Sequence, residues 1–400
     1  MNYMKIGLYH LVSNIHDEAY IDKSLHHFKK EIEGKLGFKF IDIDLKDFKN
    51  KDYFPLIFVK SGGVEGKFKK IFEHINGHYW LLAGNLHNAL PAALEIAAFL
   101  REKGKKVEII HGDSNYIAHR IKDLSRVWEV KNKLPSIKLG VIGKPSDWLI
   151  ASDVDYKKVK DNLGISLIDI KINELVKEIK QKHHFDHPEL NDIKNKTFNR
   201  KSINGALKIY DGFKAIVNKY RFDGITVRCF DLIERYKNTG CLGLSLLNSE
   251  GIIAGCEGDI PATISMLILH LLTGQPVFMA NPASVDKKKN EVVLAHCTIP
   301  LNMSDTFRLD THFESGLGVG IKGHIPEGRV TIFKLSADTR TYFVSGGEIL
   351  ENLSKKNLCR TQIRLKMDED VAYFLQNSIG NHHLICRGDY HPLVREFFNW

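Results

Sequence analysis

The 400-residue chain has six cysteines, at 229, 241, 256, 297, 359 and 386, yet no two of them stand in a C-x-x-C pair. That excludes the usual thiolate zinc and redox motifs. Several lie inside apolar runs, where a free thiol behaves as a small buried hydrophobe, and such usage suits a reducing compartment. No G-x-x-x-x-G-K-[ST] loop and no G-x-S-x-G elbow occurs, so nothing points to a P-loop NTPase or an α/β-hydrolase. The longest apolar runs, 89–100 and 260–272, contain Glu95 and His270 and fall short of the roughly 18 residues of a membrane helix. The N-terminal residues lack the basic segment, apolar stretch and cleavage site of a secretory leader. No repeat with a period of 20–50 residues is visible. These absences lead us to expect a cytoplasmic protein with no membrane partner.

What is present fits a globular chain: 43% hydrophobic and 26% charged residues. Basic residues outnumber acidic ones by 57 to 48, a net charge of +9. The lysines are scattered over amphipathic or turn-like segments (29–35, 46–51, 67–70, 103–106, 287–289), as solvated helix faces are, so no nucleic-acid partner is expected. Residues 1–135 alternate strands (5–12, 38–45, 56–59, 79–82, 106–110) with helices (17–36, 66–75, 89–103), the pattern of βαβ units on a parallel sheet. A second α/β unit, 136–275, opens with a strand at 137–143. It continues with a helix at 203–220, a strand at 224–229, a helix at 230–237, an apolar helix or strand at 242–247 and a helix at 262–272. From 276 to 400 the pattern changes to short strand-like runs divided by Gly and Asn turns, the signature of a mainly β domain, a barrel being expected. The fold class is therefore α/β: two doubly wound domains followed by a mainly β C-terminal domain. The glycine-rich stretch 316–323 lies in this last part without a strand–glycine–helix context and reads as a hairpin or tightly packed strand.

The sharpest local signal is Ala254-Gly255-Cys256-Glu257-Gly258-Asp259-Ile260-Pro261, directly before an apolar helical pattern. Pro261 suits the first turn of a helix, and Asp259 suits its cap. Glu257 follows an apolar run, and a carboxylate in such a place requires a cation. His296 ends a strand next to Cys297 and Thr298. His382 and His383 are adjacent, so on a strand only one of them can face a shared site. His312 and Glu314 alternate onto one face. Carboxylate and imidazole together suit Mn²⁺, Co²⁺, Fe²⁺ or Zn²⁺. His183 and His187, four apart but followed by Pro188, read as loop residues.

On these residues, most specifically 256–300 and 382–384, the chain resembles the L-fucose/L-arabinose isomerase family. The resemblance implies two α/β domains and a barrel-containing C-terminal domain, with 143–148 opening the second domain. It implies a divalent metal, most often Mn²⁺, held by Glu257, His296 and His383. A second metal-binding carboxylate of the family falls at Asn281, so here an amide replaces it. The implied function is a metal-dependent aldose–ketose isomerase acting through an ene-diolate on a small sugar of the fucose or arabinose type. Glu257 would be metal ligand and acid/base, Asn281 a weak ligand or a substrate contact, His312 a substrate contact, and Glu314 the other acid/base. The alternative is a catalytically altered relative that binds sugar or runs a related lyase or dehydratase reaction. The resemblance further implies a homo-oligomer, a trimer or hexamer, in which loops such as 84–88 face a neighbour's pocket or form an ordinary strand-to-helix turn.

Overall fold

A computed structural model describes residues 5–15, 17–75 and 77–400. Met1–Met4, which the sequence places just before the first strand, lie outside the described residues. The chain divides into two compact units, one running to Asn132 and including Asn399–Trp400, the other Lys133–Phe398.

In the first unit, β1 (Lys5–Leu11), β2 (Ile41–Asp42), β3 (Tyr53–Val59), β4 (Tyr79–Ala83) and β5 (Val107–Ile110) form a parallel sheet in the order β2-β1-β3-β4-β5. Helices Glu18–Leu36, Glu65–Ile71 and Ala89–Glu102 lie in the crossovers between its strands, and Ser114–Lys133 follows β5 out of the sheet. The strand order reverses beside β1, so helices cover both faces. Alternate strand residues accordingly enter two cores. Ile6, Leu8, Phe54, Leu56 and Trp80 bury on one side, and Leu11, Ile57, Val59, Leu81 and Ala83 on the other.

The second unit holds two architectures. A parallel sheet, order β7-β6-β8-β9, comprises β6 (Lys138–Ile142), β7 (Ser166–Ile170), β8 (Gly224–Val227) and β9 (Ile253–Gly255). A closed barrel, order β10-β11-β16-β15-β14-β17, takes β10 (Phe278–Asp286), β11 (Glu291–His296), β14 (Gly328–Leu335), β15 (Tyr342–Asn352), β16 (Thr361–Met367) and β17 (His383–Arg387). The hairpin of β12 (Thr306–Asp310) and β13 (Gly320–His324) stands apart from the barrel ladder. The α/β class with a mainly β C-terminal part is thus as the sequence pattern implies. Residues 242–247 belong to a helix, Cys241–Ser249, buried almost all round. Its apolar run is continuous because no face meets water, which is why periodicity alone left helix and strand open. The half-exposed edge strand β7 carries too little apolar pattern to stand out in sequence. Among the described residues no helix is long and apolar enough to cross a membrane.

The strand that delivers Glu257 is the three-residue edge β9. Among the described residues its ladder partner is β8 alone, with Gly224, Ile225 and Thr226 opposite Ile253, Ala254 and Gly255. On its other side the Asn248 side chain acts as a short substitute strand. Its Nδ2 donates to the Ala254 carbonyl at 2.9 Å, and its Oδ1 accepts from the Ala254 N–H at 2.9 Å. Asn248 is buried, so removing it leaves two backbone groups dry and unpaired, at about 1–3 kcal/mol for each such group. Asn248→Leu is expected to lower the urea midpoint of unfolding by an amount equivalent to at least about 2 kcal/mol. An unchanged midpoint would mean that β9 does not depend on this side chain.

Candidate active site

The turn after β9 carries the site. Helix Ile260–Thr273 begins with Asp259 as its cap, the Oδ1 accepting from the Ala262 N–H at 2.9 Å, and has Pro261 in its first turn. It packs against β14 and β17 of the barrel. Between strand and cap stands Glu257, which adopts a left-handed backbone, φ 60°. That conformation is uncommon for a residue with a side chain and concentrates at functional sites. Gly258 follows with φ +74°, and a Cβ there would lie 2.3 Å from the Lys144 carbonyl oxygen. Only glycine therefore lets the 144–148 loop approach. The loop is pinned from two sides: the Ser146 N–H donates to the Glu257 carbonyl at 2.9 Å, and Arg228 donates to both Asp147 oxygens at 2.9 and 2.6 Å.

This docking brings the half-exposed Trp148 indole over Glu257, its Nε1–H donating to Oε2 at 2.7 Å. The other oxygen, Oε1, faces His382 Nε2 at 3.5 Å. Ligand atoms of Glu257, His296 and His382 all lie within 4.8 Å of one another, and among the described residues this is the one such cluster of at least three His, Cys, Asp or Glu side chains. The two imidazoles are oriented from behind. Thr298 Oγ1 lies 2.9 Å from His296 Nδ1, and Asp259 Oδ2 lies 2.9 Å from His382 Nδ1. Both Nε2 atoms are left for the centre.

The electrostatics follow from burial and these contacts. Burial pushes the Glu257 carboxyl up, but the His382 imidazolium 3.5 Å away outweighs it and holds the group down at about 2. Burial likewise opposes charge on His382, yet Asp259 and Glu257 raise it to about 9. His296 is fully buried, and that together with the neighbouring His382 lowers it to about 3.

In front of the cluster lies a cleft whose empty space, mouth included, is about 440 Å³. Glu257, Asn281, His296, His312 and Glu314 line it, with Phe230 and Ile233 as an apolar wall. Five of the six cysteines also line it, and Cys229 Sγ stands 3.2 Å from Cys256 Sγ. His312 and Glu314 reach the cleft from the β12–β13 turn, not from the strand face that their alternation implies. His312 Nδ1 lies 3.1 Å from Ser315 Oγ, and its ring meets the Phe230 ring edge-on at 5.6 Å. Glu314 is pushed above the ordinary carboxylate range by burial and by the charge of Glu257. Asn281 lines the cleft, and its Oδ1 is buried with no hydrogen-bond partner among the described residues.

One expected residue is misplaced. His383 does not join the cluster; His382 does. His383 pairs with Ala280 at the start of β17, and its side chain points away from Glu257 into an aromatic nest of Phe343, Tyr373 and Phe374, with Tyr373 Oη 3.0 Å from Nε2. The two histidines alternate, and the register that decides between them is set by long-range pairing that local sequence does not show. Trp148, which the sequence suggested only as part of a domain start, is the residue that orients Glu257.

Two outcomes test this geometry. Trp148→Phe keeps an aromatic edge near Phe230 but removes the donor to Glu257. Because Trp148 is half exposed, the melting temperature should stay close to wild type, while the affinity for a divalent ion, proposed below for this cluster, should fall by about tenfold, the value of a hydrogen bond to a charged group. Equal affinity by titration would remove Trp148 from the site. His383 is held down at about 3 by burial, against about 6.5 in an unfolded chain. Its contribution to stability is thus complete above pH 6.5 and is lost as pH falls toward 3, because only the unfolded chain takes up the proton. In denaturant titrations, His383→Gln is therefore expected to flatten the fall in stability between pH 6.5 and 4 by up to about 1.4 kcal/mol per pH unit, the slope of one proton.

No protein-family model matches the chain. It is similar to curated proteins named sulfoquinovose isomerase. It is 23% identical over 314 residues to that of Clostridium sp. (strain MSTE9), covering 73% of this chain and 69% of the relative. It is 22% identical over 326 residues to that of Alkalicoccus urumqiensis, covering 77% and 74%. To that of Priestia aryabhattai it is 24% identical over 262 residues, covering 62% and 59%.

Proposed function

We propose that this chain is an aldose–ketose isomerase of small monosaccharides that works with a divalent cation, Mn²⁺ first among them, held by Glu257, His296 and His382. The observation that carries the reading is a partly buried carboxylate and two buried imidazoles converging beside a cleft. The donor set fits such an ion: one carboxylate oxygen and two Nε2 atoms, with His382 Nε2 buried and lacking a hydrogen-bond partner among the described residues, and an ion there would displace the proton that His382 otherwise holds up to about 9. The names of the relatives support the isomerase class.

A divalent ion in this position would act as a Lewis acid on adjacent oxygens of the sugar. The side chains supply the rest. Isomerisation moves a proton between neighbouring carbons, and a group that both takes and returns it should hold its proton more tightly than an ordinary carboxylate. Glu314 meets that condition, and Glu257, held at about 2, remains ionised as a ligand. Two carboxyls whose environments push their proton affinities apart divide the roles between them. Asn281, with its unpartnered oxygen, and His312 offer hydrogen bonds to sugar hydroxyls. The resemblance noted from sequence further supports a homo-oligomer and a fucose- or arabinose-type substrate, whereas the relatives' names make sulfoquinovose a further candidate.

The test is to incubate the purified protein with Mn²⁺ and a panel of aldoses, with L-fucose, L-arabinose and sulfoquinovose included, and to follow ketose formation by NMR. Turnover of at least one sugar is expected, with a loss of about 100-fold or more in Glu314→Gln, the scale of a lost general acid/base, and a comparable loss in Glu257→Gln. No ketose from any sugar, or full activity in Glu257→Gln, would overturn the proposal. The amide at position 281 favours one second reading, a related lyase or dehydratase; the same spectra would then show an eliminated product in place of a ketose.

A further inference from the structure

Lys334 is the least expected residue in the barrel. It sits in β14 between Phe333 and Leu335 and is 1% exposed. Its ammonium has no hydrogen-bond partner among the described residues. The nearest anion is Asp259 Oδ2, at 3.5 Å, and that side chain is itself 0% exposed. Burying an ammonium costs several kcal/mol even after relaxation, and apolar residues of similar volume usually replace buried ion pairs without loss of stability. Packing therefore does not account for a lysine here. The chain also yields to it: Gly380, with φ +140°, passes where a Cβ would stand 3.0 Å from Lys334 Cε.

The neighbouring contacts show what Lys334 acts upon. Asp259 has two tasks on two oxygens. Oδ1 caps helix Ile260–Thr273 through the Ala262 N–H. Oδ2 is shared between the Lys334 ammonium and His382 Nδ1. Helix capping alone would leave the carboxylate free to turn about its cap. A fixed cation on the Oδ2 side holds that oxygen against the imidazole. His382 in turn has its Nε2 directed at Glu257. A hydrogen-bonded partner behind a ligating imidazole fixes both its tautomer and its ring orientation.

We propose that Lys334 is a positioning residue for the candidate metal centre: it locks the Asp259 carboxylate so that His382 presents Nε2 beside Glu257 and His296, and it thereby sets the affinity and geometry of the bound ion. This rests on the metal reading given above. Lys334 touches neither substrate nor ion, and acts only through Asp259.

The test is a double-mutant cycle on the full chain, Lys334→Met, Asp259→Asn and the pair together, read by Mn²⁺ titration with electron paramagnetic resonance and by the visible absorption of bound Co²⁺. The expected result is at least tenfold weaker Mn²⁺ binding in Lys334→Met, with an altered Co²⁺ band. Adding Lys334→Met to Asp259→Asn should then produce no further loss, because the lysine has nothing left to hold. If Lys334→Met fails to fold, Lys334→Gln, of similar length and uncharged, takes its place with the same expectation. Mn²⁺ binding within twofold of wild type and an unchanged Co²⁺ band would overturn the proposal, as would a Lys334 effect that persists undiminished in the Asp259→Asn background. Wild-type protein that binds neither ion would overturn the metal reading itself, a result distinct from these two.

Discussion

A carboxylate with no exposed surface has to be satisfied by the protein alone, and Asp259 is such a group. Its pKa lies below the ordinary range: burial opposes the charge, and Lys334, His382 and the capped Ala262 N–H outweigh burial. Each of these partners belongs to a different element. The N–H is the first turn of helix Ile260–Thr273, Lys334 is a barrel strand, and His382 is the residue before β17. Satisfying one anion therefore ties the end of the parallel sheet, the apolar helix and two barrel strands into one arrangement. The cost of breaking any one contact is the full desolvation of a charge, not the modest net value of a hydrogen bond. The site can be precise because its foundation cannot slip by small amounts.

The same logic runs one residue pair earlier. Glu257 is separated from Asp259 by a single glycine, so the two carboxylates leave the turn in different directions. Asp259 faces the helix and barrel, and Glu257 faces the cleft. The left-handed backbone at Glu257 and Gly258 produces that divergence. Trp148 and His382 then take one Glu257 oxygen each, which fixes the carboxylate plane. Across the cleft no comparable donor reaches Glu314 among the described residues, and burial beside a second negative charge raises its proton affinity. One cleft thus contains a carboxyl that stays ionised and another that holds a proton more readily, and the proposed division into ligand and acid/base follows from environment alone.

How much of this was legible in sequence depends on how local each cause is. The Glu257-Gly258-Asp259-Ile260-Pro261 turn declares itself, because capping, proline placement and a polar interruption of an apolar run are all neighbour effects. Of the cleft residues, His296 was nameable as a polar strand end, His312 and Glu314 through an alternation that the turn does not keep, and Asn281 only through the family resemblance. His382 was not separable from His383, because strand register is decided by pairing with Met279 and Ala280, a hundred residues away. Trp148 was hidden for a similar reason: its partner Glu257 is remote in sequence, and the close approach of the two loops depends on the absence of a side chain at Gly258. Lys334 did leave a trace, as a lone cation in the otherwise apolar strand end Ile332-Phe333-Lys334-Leu335. That pattern is a signal only when read as a demand for a buried anion.

The amide at position 281 fits this picture better than a loss would. A carboxylate there would place a third negative charge in a cleft already holding Glu257 and Glu314, with Asp259 behind it. Like charges disfavour one another's ionisation, so such a group would raise the proton affinity of its neighbours and blur the separation between them. Asn281 keeps an oxygen directed into the cleft and adds no charge. Two carboxyls in distinct environments suffice for a ligand and a proton carrier, and a neutral acceptor beside them suits a sugar hydroxyl, which brings a donor and no charge of its own. Under the proposed function, Asn281 orients a substrate rather than holding an ion, and the burden of the ion rests on Glu257 and the two imidazoles, which is why the buried supports behind His382 carry so much of the design.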